Sequence, residues 1–151
     1  MRAGVFERAA QRLFIGAAAR ERRCLIICSG FYEWTVTPDK ARLPWYITRA
    51  DAAPMAFAGV WQGWDGPDDA DTSATTCAIV TTAANTTMSQ IHKRMPVILA
   101  PEDWPLWLGE AGKGAARIMK SAPEDALSFH RVSTEVNSNR ATGAGLLKEA
   151  S

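Results

Sequence analysis

Apolar side chains run almost unbroken from residue 24 to residue 34, interrupted only by Ser29-Gly30 and by a single acid, Glu33. The run is rich in strand formers and is split by a turn-forming pair, which predicts strands over 23–28 and 31–36. Upstream, Phe6, Ala9, Ala10, Leu13, Phe14 and Ala17 recur at helical spacing with Arg8, Arg12 and Arg20 elsewhere on the wheel, so 5–21 reads as a helix, weakened by Gly16. Downstream, Thr37-Pro38-Asp39-Lys40 is a turn, 44–48 and 55–61 are strands, and 65–73 is an acidic loop. The β-branched stretch 76–81 predicts a strand, 84–91 a short helix or irregular segment, and 97–99 another strand. Ala100-Pro101-Glu102-Asp103 opens a helix, with proline in its first turn and acids at its N-terminus, and Trp104, Trp107 and Leu108 supply the apolar face. A weaker helix over 115–120 and a strand over 127–132 complete the pattern. In that strand Leu127, Phe129 and Arg131 share one face and Ser128, His130 and Val132 the other. The tail from residue 137 reads as loop. With no repeat and no linker, residues 1–151 form one α+β domain dominated by a mainly antiparallel sheet.

Composition narrows the class. A chain of 151 residues buries about two-thirds of its unfolded surface, and its 47% apolar and 22% charged residues are ordinary for a globular protein. No apolar run approaches a membrane span, and the first residues lack a signal-peptide core. Three cysteines, at 24, 28 and 77, make no disulfide framework, which fits a reducing cytoplasm. Cys24 and Cys28 have only Cys77 and His92 as remote partners, so neither a metal nor a cofactor is expected. The net charge of +1 is unevenly spread: residues 1–49 carry nine Lys/Arg against four Asp/Glu, and residues 50–75 carry five Asp and no base. A basic amino-terminal third suits a phosphate backbone, and it equally suits a solvated helix face.

Two stretches carry candidate chemistry. Glu33 stands between Tyr32 and Trp34. A carboxylate among buried neighbours loses hydration and its pKa rises, a common way to hold a proton-transfer group. The alternative is a strand whose acid faces water, since side chains alternate. Ile91-His92-Lys93-Arg94-Met95-Pro96 places one of only two histidines beside two cations.

Taken together, Arg23-Cys24-Leu25, Gly30-Phe31-Tyr32-Glu33-Trp34, Ala58-Gly59-Val60-Trp61, Thr81-Thr82-Ala83-Ala84-Asn85 and the stretch from Ile91 through Leu99 closely resemble, in order and spacing, the SRAP domain, the SOS-response-associated peptidase family that processes abasic sites in DNA. The resemblance implies a barrel-like, mainly antiparallel fold with a few flanking helices. It implies single-stranded DNA bearing an abasic site as partner, with no membrane and no metal. The family's reaction joins an amino-terminal cysteine to the opened sugar as a thiazolidine, and a carboxylate and an imidazole move the protons. By motif, Glu33 and His92 take these two catalytic roles. Arg94 matches the family's basic residue two places after the histidine, and Arg2 stands where a DNA-contacting arginine is expected.

The departures bear on function. Residue 2 is Arg rather than Cys, and no position matches the family's catalytic Asn. The resemblance therefore implies a chain that starts inside the family's domain, is incompetent to cross-link as written, and leaves sheet edges unpaired and an apolar groove uncovered. A non-covalent single-strand binder is the alternative. A cysteine peptidase built on Cys28, His92 and Glu33 is a third reading, without a supporting motif. Phe31 and Trp34 are candidate stacking surfaces for an unpaired base, although Trp34 and Trp61 also read as core. Thr81 and Asn85 are candidate phosphate donors or, equally, sheet-edge and turn residues. Cys24 reads as a buried thiol and His130 as structural.

Overall fold

The computed structural model describes residues 20–64 and 74–150. Arg2 and the acidic loop 65–73 lie outside the described residues. Of the helix expected over 5–21 only residues 20 and 21 are described, and they are helical.

The apolar run folds as β1 (Arg23–Cys28) and β2 (Phe31–Val36), the bounds expected from the pattern. There follow β3 (Arg42–Arg49), β4 (Met55–Trp64), β5 (Ala74–Ile79) and β6 (Thr81–Ala83). Then come α1 (Thr86–Ser89), β7 (Arg94–Pro96), β8 (Ile98–Leu99), α2 (Trp104–Leu108) and β9 (Leu127–Arg131). Every strand pairing is antiparallel, and helices are few and short, so the class is α+β. The strands form three sheets, β1-β4-β5 with β8 also on β4, β2-β3-β9, and β6-β7, and no closed barrel among the described residues.

β4 is the central strand because both its faces are apolar. Ala58 and Val60 join a core with Val97, Leu99, Trp107 and Ile118, while Met55 and Phe57 join a second core with Ile47, Met88, Met95 and Leu127. Beyond Val60 the second face runs out of cover. Trp61, expected in the core, is 39% exposed and pairs with exposed Cys77 in the β4-β5 ladder.

The expected strand over 76–81 is broken at Val80, and the reason is a three-way junction. Val80 N–H donates to the Ala58 carbonyl at 2.8 Å, Val97 N–H to the Val80 carbonyl at 2.9 Å, and Ala58 N–H to the Val97 carbonyl at 2.9 Å. This ring of bonds lets one chain leave β4 as β5 and pair on as β6, while β7 passes into β8. β7 was not legible as a strand, being three residues long and ending at Pro96, which has no N–H to donate.

The helix expected from Ala100 begins as a 3-10 turn, Pro101–Asp103, and continues as α2 until Gly109, whose φ of 89° suits only glycine. The stretch expected as a helix over 115–120 is a single 3-10 turn, Ala115–Ile118. The tail is not bare loop. A 3-10 turn, Ala144–Leu147, brings the Leu147 carbonyl 2.8 Å from His130 Nε2.

Gly30, in the turn between β1 and β2, has no room for a side chain. A Cβ there would lie 2.7 Å from the Ile47 carbonyl oxygen and would overlap the Tyr46 ring. Gly30→Ala is expected to destabilise the fold by about 1–3 kcal/mol, the usual cost of overpacking. The check is a lower urea midpoint at unchanged m-value.

Candidate active site

Five strands and the segment after α1 meet at one cleft of about 290 Å³ walled by Phe31, Glu33, Phe57, Ile79, Thr81, His92 and Arg94. β2 supplies Glu33. Alternation puts Phe31 and Glu33 on the face toward the cleft and aims Trp34 the other way. Phe31 is an apolar wall, its ring packed edge-on against Phe57 at 5.5 Å. Trp34 lies on the opposite face of the sheet, its indole N–H donating to Asn137 at 2.6 Å and Arg42 stacked 5.1 Å above its ring. Stacking of a base in this cleft therefore does not fall to Trp34.

His92 arrives from the other side. It follows α1, and its N–H donates to the Met88 carbonyl at 3.0 Å, so its backbone is tied to the helix. Its Nδ1 lies 4.0 Å from Glu33 Oε1. The same Nδ1 is 3.0 Å from the Arg94 carbonyl oxygen and 3.2 Å from the Arg94 N–H. Either tautomer is thus satisfied: a protonated Nδ1 donates to the carbonyl, and a bare one accepts from the amide. The Glu33 and His92 side chains are 28% and 41% exposed, so a molecule in the cleft can reach both.

Burial pushes the Glu33 carboxyl above its ordinary value, and the pull of His92, the Trp34 backbone N–H and Arg42 oppose that without cancelling it. A carboxyl raised in this way gives up its proton nearer neutrality, as a general acid must.

Arg94 is exposed but not loose. Its Nε donates to Thr81 Oγ1 at 2.9 Å and its Nη2 to the Thr81 carbonyl and hydroxyl oxygens at 2.6 and 2.7 Å. The β6-β7 register makes this possible: Arg94 faces Ala83, so Thr81 is its diagonal neighbour on the same face. One edge of the guanidinium is spent on Thr81, and Nη1 has no partner among the described residues. Thr81, a candidate phosphate donor, is here the buttress of the arginine.

Asn85 is fully committed to structure. Its Oδ1 caps α1 by accepting from Met88 N–H at 2.8 Å, and its Nδ2 donates to the Ala122 and Pro123 carbonyls, each at 3.1 Å. Glu124, which sequence reasoning passed over, accepts from the Thr86 and Thr87 N–H groups and the Thr87 hydroxyl, all at 2.9 Å. These donors hold its carboxyl down to about 2. No sequence signal announced it, because Glu124 lies 37 residues from Thr87.

No cysteine lines the cleft, and burial raises the Cys24 and Cys28 thiols, away from the reactive thiolate. Among the described residues no three His, Cys, Asp or Glu side chains gather as metal ligands, and no helix is long and apolar enough to cross a membrane.

The described residues thus form an antiparallel α+β domain with a raised carboxyl and an imidazole in one cleft, beside a buttressed arginine. The chain belongs to the SOS response associated peptidase (SRAP) family, whose model matches residues 5–139. It is 32% identical over 130 residues to the abasic site processing protein YoqW of Bacillus subtilis (84% of this chain, 57% of the relative). It is also 32% identical over 130 residues to YedK of Escherichia coli, an abasic site processing protein of which it covers 57%. The chain thus spans just over half the length of these relatives. In structure it resembles a protein from Bacteroides thetaiotaomicron, with TM-score 0.77, 22% identity and 89% of this chain covered against 59% of that one. A protein from Bordetella bronchiseptica matches with TM-score 0.70 at 25% identity, over 84% of this chain and 63% of that one.

Proposed function

We propose that this chain carries the proton-transfer and phosphate-docking part of an abasic-site processing protein acting on single-stranded DNA. The observation that carries the reading is the meeting of Glu33 and His92 at 4.0 Å in one cleft beside Arg94. They come from segments 59 residues apart in the chain. The names of the relatives support the substrate.

The chemistry follows from the sugar. An abasic deoxyribose opens to an aldehyde. An amine adds to its carbon, water leaves, and an imine forms; a thiol beside that amine then adds across the C=N bond to close a thiazolidine. Opening the ring and expelling water each require a proton delivered to oxygen, and amine attack requires one removed from nitrogen. Glu33, held toward its neutral form by burial, delivers the first. His92, whose Nδ1 is satisfied by Arg94, accepts the second at its other ring nitrogen. Arg94, aimed by Thr81, holds a flanking phosphate.

The docking role is tested by Arg94→Ala. Loss of one phosphate contact is expected to weaken single-strand binding alike across sequences and to reduce the slope of log K against log salt by about 0.7. Binding equal to the parent with an unchanged slope would remove Arg94 from the DNA site.

A second reading, non-covalent binding of single-stranded DNA, is favoured by one feature: no cysteine lines the cleft. The 151-residue chain is expected to give no heat-stable adduct with abasic DNA on a denaturing gel, while an imine trapped by borohydride is compatible. A heat-stable band without reductant would show that another nucleophile serves.

A further inference from the structure

We propose that residues 121–124 form a positioning clamp that holds α1, and through it His92, at its distance from Glu33. The clamp engages almost every residue of the turn that launches the helix. Ser121 Oγ donates to the Ala83 carbonyl at 2.8 Å, the Ala122 and Pro123 carbonyls accept from Asn85, and Glu124 takes both Thr86 and Thr87. From there the connection to the site is continuous. Asn85 Oδ1 accepts from Met88 N–H, and the Met88 carbonyl accepts from the N–H groups of both Ile91 and His92 at 3.0 Å.

The clamp is needed because α1 cannot hold itself. A four-residue helix lies far below the length at which helices are stable alone. Nor do the ladders link the two catalytic side chains: Glu33 belongs to the β2-β3-β9 sheet, and His92 lies in the connection between β6 and β7, a separate sheet. Their separation is therefore set by how α1 is seated, by the packing of Met88 and Ile91 in the second core and by the clamp. Glu124 suits this task, since its carboxylate is stabilised by the amide donors it holds and stays charged far below neutrality. It touches no reacting atom in this scheme and acts only through the helix.

The inference rests on reading Glu33 and His92 as the working pair, and its test uses no DNA, so the two fail separately. Carbon-13 NMR of the Glu33 side-chain carboxyl is followed against pH in the 151-residue chain. His92→Ala is expected to raise the Glu33 midpoint, because the imidazolium no longer favours the carboxylate. Glu124→Ala is expected to raise it too, and the double variant to go no further than His92→Ala alone. The direction is diagnostic: deleting a negative charge would by itself lower a neighbouring carboxyl, so a rise reports movement of His92. Should Glu124→Ala fail to fold, Glu124→Gln, which keeps one acceptor, is read in the same way with a smaller rise. A Glu33 midpoint that stays put or falls, or shifts that simply add in the double variant, would overturn the clamp.

Discussion

Glu33→Gln is expected to abolish the chemistry while leaving DNA binding nearly intact. On the proposed reading, in a form to which an amino-terminal cysteine segment is added, the rate of adduct formation on abasic single strands should fall roughly 10²–10⁴-fold, the ordinary worth of a general acid–base group. Affinity should change little, because the side chain faces a proton rather than a phosphate. The amide also reports on stability. Burial raises the folded-state pKa of Glu33 above the ordinary value of 4.5, so the native state binds the proton more tightly than the unfolded chain. The cost of ionising it is absent below the unfolded value, sets in as pH rises through that value, and is complete above the folded value. Glu33→Gln should therefore melt higher than the parent at pH 8 and lose that advantage below about pH 4. A variant that keeps its adduct rate would exclude Glu33 as the proton donor, and one that melts lower at pH 8 would show that the carboxylate is stabilised where it sits.

The largest loss of stability is expected from Asn85→Ala. Asn85 is the one polar side chain buried among the described residues. Removing it takes away the cap of α1, worth about 1 kcal/mol, and strips two carbonyls of a donor, each at about 1 kcal/mol or more when buried. A total of roughly 3 kcal/mol corresponds to a drop in Tm of about 6–12 °C for a chain of this size. Asn85→Ser restores an oxygen for the cap but not the two donors, so it should recover about a third of the loss. Denaturant melts of the three proteins decide it: a cost below about 1 kcal/mol for Asn85→Ala would mean that the three hydrogen bonds are not coupled to global unfolding.

Thr81 and Asn85 show what the sequence left open. In the Thr81-Thr82-Ala83-Ala84-Asn85 stretch each polar end read equally as a phosphate donor and as a sheet-edge or turn residue. In the structure neither is free: Asn85 faces inward, and Thr81 is occupied by Arg94. A side chain's type is written in the sequence, but its partners come from segments that are distant in sequence, here 122–123 and 94.

What the sequence determined by itself follows from local physics. β1 and β2 were legible to the residue because β-branched and aromatic side chains favour the pleat and Ser29-Gly30 cannot continue it. The end of β4 was misjudged because nothing local says where a covering sheet stops, and so Trp61 emerged as exposed. The breaks at Val80 and Val97 belong to a ring of three backbone bonds among three segments, each unremarkable alone. Glu33 and His92 were nameable from their motifs. That their side chains face each other at 4.0 Å was decided only by the tertiary structure. Alternation chose the face of β2, the β6-β7 ladder carried Arg94 to Thr81, and a helix too short to stand alone was seated by residues more than thirty positions later in the chain.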